Sequence, residues 1–560
     1  MNERQERAKF HLQRLLNLQV LGHSHSFEGF NLDEALKDLE SWQEQAMGNL
    51  SALMADLKDQ RPENRLKLIF EEVGGQIQAL SPSLPLSLVK LYQREVARLD
   101  PKLYLTILQN LVAVDYLTPL LGAGDPMVKA LTEGKMLAAI DWFPAALGSL
   151  EVTLLARRDT QGYWLTGRKN SLFGQDADLN LPRIYLVLAE LAEEGRDRTA
   201  LFLSDGKGAQ LVQDPLLYGP GTAHVDFADR APARFLEYVE DGVDSQLFVK
   251  ARMQLLLLQS CLASKAYKTA LAFGQSRLIQ DMSEDEREVA LLYHPLAGDI
   301  LMELKAFREG MTGALLQTAF YHDCLKEATG EAQAEYEDLL ELFLLVFKVY
   351  AGRHVPNMLH KALQLTGGAQ LDLLGPLELS TVAGLVGGSD LDLALQLVTK
   401  VLKRNEGRAF KSLFREFERF GDSEAKSDGL KEAVMIFRDF AGGLFLLVND
   451  LLDPEEGKNP QADIVNCGAI ADLFGDVMLC FLLIRQAFEA ERILSEMGAN
   501  FYNLGPDAIA RPELRPYYNL LVLVERFSVQ HLSRQEGQIR IIQRNLAPAM
   551  DAILEKEGKL

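Results

Sequence analysis

Apolar positions along the chain recur with two different periods. In LDEALKDLESWQEQAMGNLSALMADL (32–57) they return every three and four residues, with acidic residues placed early, which predicts amphipathic helix. This texture lasts to about Gly134. From Lys135 to Gly242 it gives way to short runs rich in β-branched and aromatic residues, bounded by Gly, Asp or Pro. GYWLTGRKN (162–170), RIYLVLAEL (183–191), TALFLSD (199–205) and AHVDFAD (223–229) are expected strands of a mostly antiparallel sheet. From Asp244 onward the helical period returns in three long stretches, 246–277, 294–322 and 336–365. Their apolar residues cover more than one narrow stripe, as in helices packed on several sides. The more polar RNEGRAFKSLFREFERFGDSEAKSDG (404–429) is expected to link to a final helical region that contains the Gly/Pro-punctuated loop FYNLGPDAIARPELRP. The expected fold class is mainly α with a central β domain. Its parts are an N-terminal helical domain (1–134), a middle β domain (135–242), a C-terminal four-helix bundle (243–403) and a helical extension (404–560).

Composition narrows the function classes. With 48% hydrophobic and 24% charged residues the chain is ordinary for a globular protein. A net charge of -21 repels nucleic acid and anionic membrane surfaces, so neither is an expected partner. The four cysteines, Cys261, Cys324, Cys467 and Cys480, lie in apolar helical stretches without CxxC spacing, which predicts buried reduced thiols. The start, MNERQERAKF, is too charged for a signal peptide. Apolar runs such as Leu255 to Leu258 fall well short of the ~20 residues of a membrane span. A cytoplasmic protein is expected. His354 and His360, six apart, are off the one-face spacing, and His23 and His25 lie in an expected loop, so no metal site is expected. No nucleophile elbow, Walker loop or GxGxxG is present.

Six segments, in order, carry a resemblance. GYWLTGRK (162–169), DADLNLPRIYLVLAEL (176–191), YGPGTAHVDFAD (218–229), LASKAYKTALAFGQSR (262–277), HPLAGDILMELKAFREGM (294–311) and ALQLTGGAQLDLLGPLE (362–378) resemble motifs of the acyl-CoA dehydrogenases. The likeness is to the long branch with a C-terminal helical extension, which includes 3-methylthiopropanoyl-CoA dehydrogenases. It covers about residues 100–402. The resemblance implies an oligomer that binds FAD between the middle sheet and the bundle. It also implies a carboxylate base, nearly always Glu, that takes the α-proton of an acyl-CoA while a hydride passes to the flavin.

Set against that pattern, the chemistry is missing from its expected places. Gly387, in Leu385-Val386-Gly387-Gly388-Ser389, takes the position of the usual Glu. The alternative base position, on the first bundle helix, falls on Ala251. Asp390, three residues past Gly387, is the nearest carboxylate; it is either a displaced base or an ordinary cap of the helix that follows. Beside the flavin ring, Trp142 replaces a hydroxyl residue, and Ser171 and Phe173 have exchanged the aromatic and hydroxyl places. The adenosine end fares better, since Arg277, Gln364, Gly367 and Gly368 are retained. The glycine pair reads equally well as a helix C-cap.

FAD is therefore the implied cofactor, its adenosine end better supported than its flavin end, with no metal. The expected function is that of a non-catalytic, auxiliary member associating with itself or with an active acyl-CoA dehydrogenase paralogue. The alternative is an active FAD-dependent enzyme with a relocated base such as Asp390, for which electron-transfer flavoprotein would be a partner. Acyl-CoA binding without flavin is a third, broader expectation.

Overall fold

A computed structural model describes residues 8–18, 21, 27, 30–41, 84–99, 101–140, 154–172, 181–193, 196–212, 222–239, 246–280, 288–421, 425–453 and 460–543. The chain divides into two compact units. The first comprises Met1–Leu304, Leu315–Tyr336 and Ala351–Ser389; the second comprises Lys305–Ala314, Glu337–Tyr350 and Asp390–Leu560.

The first unit begins with helices and passes into a barrel. α1 (Leu86–Leu99) follows the Pro85 that bars earlier helix, and α2 (Pro101–Leu121) starts with proline in its first turn, where the missing N–H costs nothing. α1 presents Leu88, Leu91 and Tyr92 to a cluster with Leu12, Phe27, Leu36 and Leu316. α3 (Pro126–Thr132) is capped by Asp125, whose carboxylate accepts from Met127 N and Val128 N. The strands are β1 (Leu137–Ile140), β2 (Leu154–Asp159), β3 (Gly162–Leu172), β4 (Arg183–Glu193), β5 (Arg196–Ser204), β6 (Ala209–Val212) and β7 (Thr222–Tyr238).

Pairings β4–β2, β2–β3, β3–β7, β7–β5 and β5–β4 return on themselves, so five strands close a ring, with β1 added on β4 and β6 on β7. Closure removes the open edges that an isolated sheet would expose. β7 pairs with β3 on both sides of Arg230, with β6 before it and with β5 after it, and Arg230 adopts φ +68°. Inward residues at period two, such as Leu154, Ala156, Leu165, Tyr185, Val187, Phe202 and Phe227, fill the interior. The expected strands all form. The expected antiparallel sheet carries two parallel pairings, β1–β4 and β2–β4. Asn110 of α2 fastens β1 to the helices: its amide donates to Leu131 O and Met136 O at 2.9 Å each and accepts from Ala138 N at 2.8 Å.

The long helices follow. α4 (Gln246–Ser276) leads to the hairpin β8 (Leu278–Gln280) and β9 (Glu288–Ala290), then α5 (Pro295–Glu327), α6 (Gly330–Leu365) and α7 (Leu374–Leu385). Segments of α5 and α6 belong to the second unit, which continues with α8 (Asp390–Gln396), α9 (Arg408–Gly421), α10 (Asp428–Leu452), α11 (Cys467–Glu496), α12 (Arg515–Arg526) and α13 (Glu536–Gln543).

α11 is the axis of the second unit. Its glycine and small positions let other helices close on it: a Cβ at Gly310 would lie 2.5 Å from Leu479, and one at Gly475 would fall inside the Tyr350 ring. Asp476, fully buried, accepts from Tyr350 Oη at 2.5 Å and faces His531 Nε2 at 2.8 Å. Rings of Phe410, Phe414, Phe417, Phe437, Phe445, Phe474 and Phe481 meet edge-on or tilted beside it.

Two expectations for this region change. The linker after 404 contains the helix α9, because Phe410, Leu413 and Phe417 form a buried stripe within its polar sequence. The loop FYNLGPDAIARPELRP is a chain of short helical turns, Phe501–Asn503, Leu504–Ala510 and Pro512–Leu514, with its prolines at or near helix starts, where they are tolerated.

Among the described residues, two stretches are long and apolar enough to cross a membrane, Leu371–Val401 and Cys467–Glu496. No such length was expected from the apolar runs. The first is broken by the turn at 386–389; the second is 83% buried inside the protein and carries Asp476 and Glu491.

Candidate functional site

The turn that holds Gly387 packs against α4, the helix that carries Ala251. From Met253 to Leu258 this helix is buried on every side, so neighbours must enclose it. Tyr104 of α2 donates to Gln254 Oε1 at 2.8 Å. Gln259 donates to Ser380 O at 3.0 Å and accepts from Ser380 Oγ at 2.7 Å, which fixes α7 along α4. α7 then delivers the turn 386–389 against α4. Gly387 is buried at φ +74°, and its carbonyl accepts a long 3.4 Å bond from Arg252 Nε. A Cβ there would sit 3.3 Å from Leu255 Cδ1 and 3.9 Å from Arg252 Cγ.

Arg252 follows Ala251, which is fully buried, so neither of the two positions, Ala251 and Gly387, opens to solvent. At one stands a methyl group, at the other only hydrogen. Burial dominates the electrostatics nearby: it pushes the Cys261 thiol up to about 12 and the Tyr104 phenol well above its ordinary value.

Asp390 opens α8, and its Oδ1 is 3.3 Å from Lys348 Nζ of α6, a side chain with 1% exposure. A buried ammonium requires a counter-charge, and this carboxylate supplies it. Sequence reasoning passed over Lys348, as it did Arg252 and Leu255. The one available signal for Arg252 and Lys348 was a cation inside an otherwise apolar helical run.

The remaining expected positions are distributed. Gln364 is exposed near the end of α6, its Nε2 3.2 Å from His360 Nε2. Gly367 and Gly368 follow at φ +56° and +76°, with Gly368 N bonding back to Leu363 O at 3.2 Å. That six-to-one bond closes the helix as a C-cap, and a Cβ at either glycine would meet open space. The pair therefore answers first to backbone conformation. Arg277 is exposed where α4 ends, its carbonyl accepting from Leu291 N at 2.7 Å. Ser171 lies near the end of β3, in register with Ala223 of β7. Trp142, Phe173, His23 and His25 lie outside the described residues. Among the described residues no group of His, Cys, Asp and Glu could hold a metal ion, and the four cysteines form no disulfide.

No protein-family model matches the chain, and no curated protein matches it in sequence. Solved structures match it along nearly its whole length. Caenorhabditis elegans ACDH-11, solved in complex with C11-CoA, is 16% identical, with 97% of this chain and 96% of that one covered at a TM-score of 0.65. An acyl-CoA dehydrogenase from Bacillus anthracis complexed with FAD is 14% identical, with 95% and 92% covered at 0.64. Acyl-CoA oxidase-1 from Caenorhabditis elegans, complexed with FAD and ATP, is 12% identical, with 93% and 92% covered at 0.55.

The fold is that of the acyl-CoA dehydrogenases.

Within that fold the described residues fit an FAD-like group unevenly. The exposed guanidinium of Arg277 suits a diphosphate, and the turn at Gly367-Gly368 presents backbone to solvent. At the two positions where the resemblance places a base, Ala251 and Gly387, the side chains offer no proton acceptor.

Proposed function

We propose that this chain is a non-catalytic member of the acyl-CoA dehydrogenase fold, an auxiliary subunit that associates with itself or with an active paralogue. One observation carries the reading. The two positions at which the resemblance places a base hold a fully buried Ala251 and a buried Gly387, and the space beside Gly387 is taken by Leu255 and the stem of Arg252. Removing an α-proton needs a carboxylate within hydrogen-bond reach of it. The relocated-base alternative is weakened because Asp390 is committed to Lys348.

Association is supported by apolar side chains left in solvent. Leu278, Tyr293, Leu296 and Leu371 are 54 to 72% exposed, more than isolated surface residues need. FAD and acyl-CoA are proposed as ligands on the strength of the fold and of Arg277, with binding separated from chemistry. Backbone and guanidinium groups can hold a nucleotide without a base.

The test is the spectrum of the protein purified alone, recorded before and after addition of a medium-chain acyl-CoA. The expected result is no bleaching of any flavin band and no electron transfer to an artificial acceptor. A flavin band that the acyl-CoA bleaches would overturn the reading.

A further inference from the structure

The first unit holds a cluster of ionisable groups that the proposed function does not use. Lys90, on the inner face of α1, is 2% exposed, and its ammonium nitrogen donates to Gln93 Oε1 on the same helix at 2.9 Å. The charged groups around it come from three other helices. Asp115 of α2 is ion-paired with Lys250 of α4 at 2.8 Å. Asp323 of α5 is occupied at the start of α1, accepting from Leu86 N at 2.6 Å, Ser87 N at 3.0 Å and Ser87 Oγ at 2.6 Å. His322 and Lys326, also on α5, complete the set. The Nδ1 of His322 is enclosed without a hydrogen-bond partner. Among the described residues no carboxylate accepts a hydrogen bond from Lys90. An amine in that position is tolerated uncharged and penalised as an ammonium.

We propose that Lys90, with His322 beside it, is a proton-operated latch on α1: the helix docks while Lys90 is neutral, and proton uptake by Lys90 favours its release.

The direction follows from linkage. Burial lowers Lys90 from 10.5 to about 7, and Asp115 only partly offsets this. The released lysine is charged below 10.5 while the docked one stays neutral down to about 7. Docking therefore strengthens as pH rises from about 7 towards 10.5, and below about 7 the Lys90 penalty is fully developed. Burial lowers His322 from 6.5 to about 3, so it adds a second loss of docking as pH falls from 6.5 towards 3. α1 is otherwise held by Asp323 at its N-terminus, by Arg94 donating to Ser264 Oγ at 3.1 Å, and by its buried apolar face, none of which titrates between pH 7 and 8.5 in the way Lys90 does.

The experiment is amide hydrogen exchange on the full chain at about pH 7.0 and about pH 8.5, corrected for intrinsic rates. Release with uptake of one proton changes the opening equilibrium up to tenfold per pH unit, less where the docked lysine is itself half-protonated near pH 7, so protection in Leu86–Leu99 should rise about 15-fold between the two. Amides of β4 serve as the internal control and should change far less. Lys90→Met and Lys90→Gln should each remove the rise. Equal protection of α1 at both pH values in the wild type, or an undiminished rise in whichever variant folds, would overturn the proposal.

Discussion

Gly387 stands where the resemblance to the acyl-CoA dehydrogenases would place a base, and its backbone is left-handed. At φ +74°, with Leu255 only 3.3 Å from where Cβ would stand, any side chain meets both backbone strain and crowding. Gly387→Ala should therefore cost about 1–3 kcal/mol, read as a lower urea midpoint at unchanged slope. Ala251 lies in ordinary helix, so Ala251→Glu adds no strain, but it places a carboxyl where nothing is exposed. We expect a loss of about 2–4 kcal/mol that is relieved as pH falls and the acid protonates. Asp390→Ala should cost about 2–4 kcal/mol by removing the carboxylate that faces buried Lys348, while Asp390→Asn leaves acyl-CoA titration heats unchanged. That Gly387 and Ala251 stand at base positions is what the resemblance implies; that neither carries a proton acceptor was legible in the sequence. What fills the gap was not. Leu255 and Arg252 meet Gly387 where the bonds between Gln259 and Ser380 hold α7 along α4, and no local pattern announces a contact across 121 residues.

Helices and strands were legible in proportion to how much of their pattern was local. The strands announced themselves by period two and by their bounding Gly and Asp residues, whereas the parallel pairing of β1 and β2 on β4 depends on which edges are free after folding. α9 was hidden by its charged face, although the Phe410, Leu413 and Phe417 stripe was present at helical spacing. The resemblance motif around Glu309-Gly310-Met311 acquires a packing reason here. Gly310 is the point where α5 and α11 approach too closely for a methyl group, and Gly475 plays the same part for α6 and α11. Gly475→Ala must displace the buried Tyr350 ring, and with it the hydrogen bond to Asp476; Gly310→Ala must displace only the tip of Leu479. Overpacking of a tight core costs about 1–3 kcal/mol, so we expect Gly475→Ala at or above the top of that range and Gly310→Ala near the bottom. Thermal unfolding of the two variants side by side checks the order.

Across the whole molecule, stability near neutral pH and stability in alkali answer to different buried groups. Lys90 gains from rising pH, but the thiols lose. Burial pushes Cys261 and Cys480, one in each unit, from 9.0 up to about 12. Their folded pKa lies above the unfolded one. The unfolded chain therefore sheds those protons first, and folding weakens as pH rises from 9 towards 12. Tyr92, raised by burial to about 12, joins the same trend only above its ordinary 10.0, so between 9 and 10 it is the buried thiols that oppose the gain from Lys90. In the second unit, Cys480 sits 3.4 Å from Ser528 Oγ in a fully buried setting, with Asp476 adding to the cost of a thiolate. Cys480→Ala should lower the urea midpoint at pH 7 through the cavity it leaves, yet show a shallower decline between pH 9 and 10 than the wild type. If the variant and the wild type decline in parallel, the buried thiol is not what couples this unit to alkali. A thiol so placed should also resist alkylation at pH 8 until the helix around it opens, because the thiolate is the reacting form and burial suppresses it.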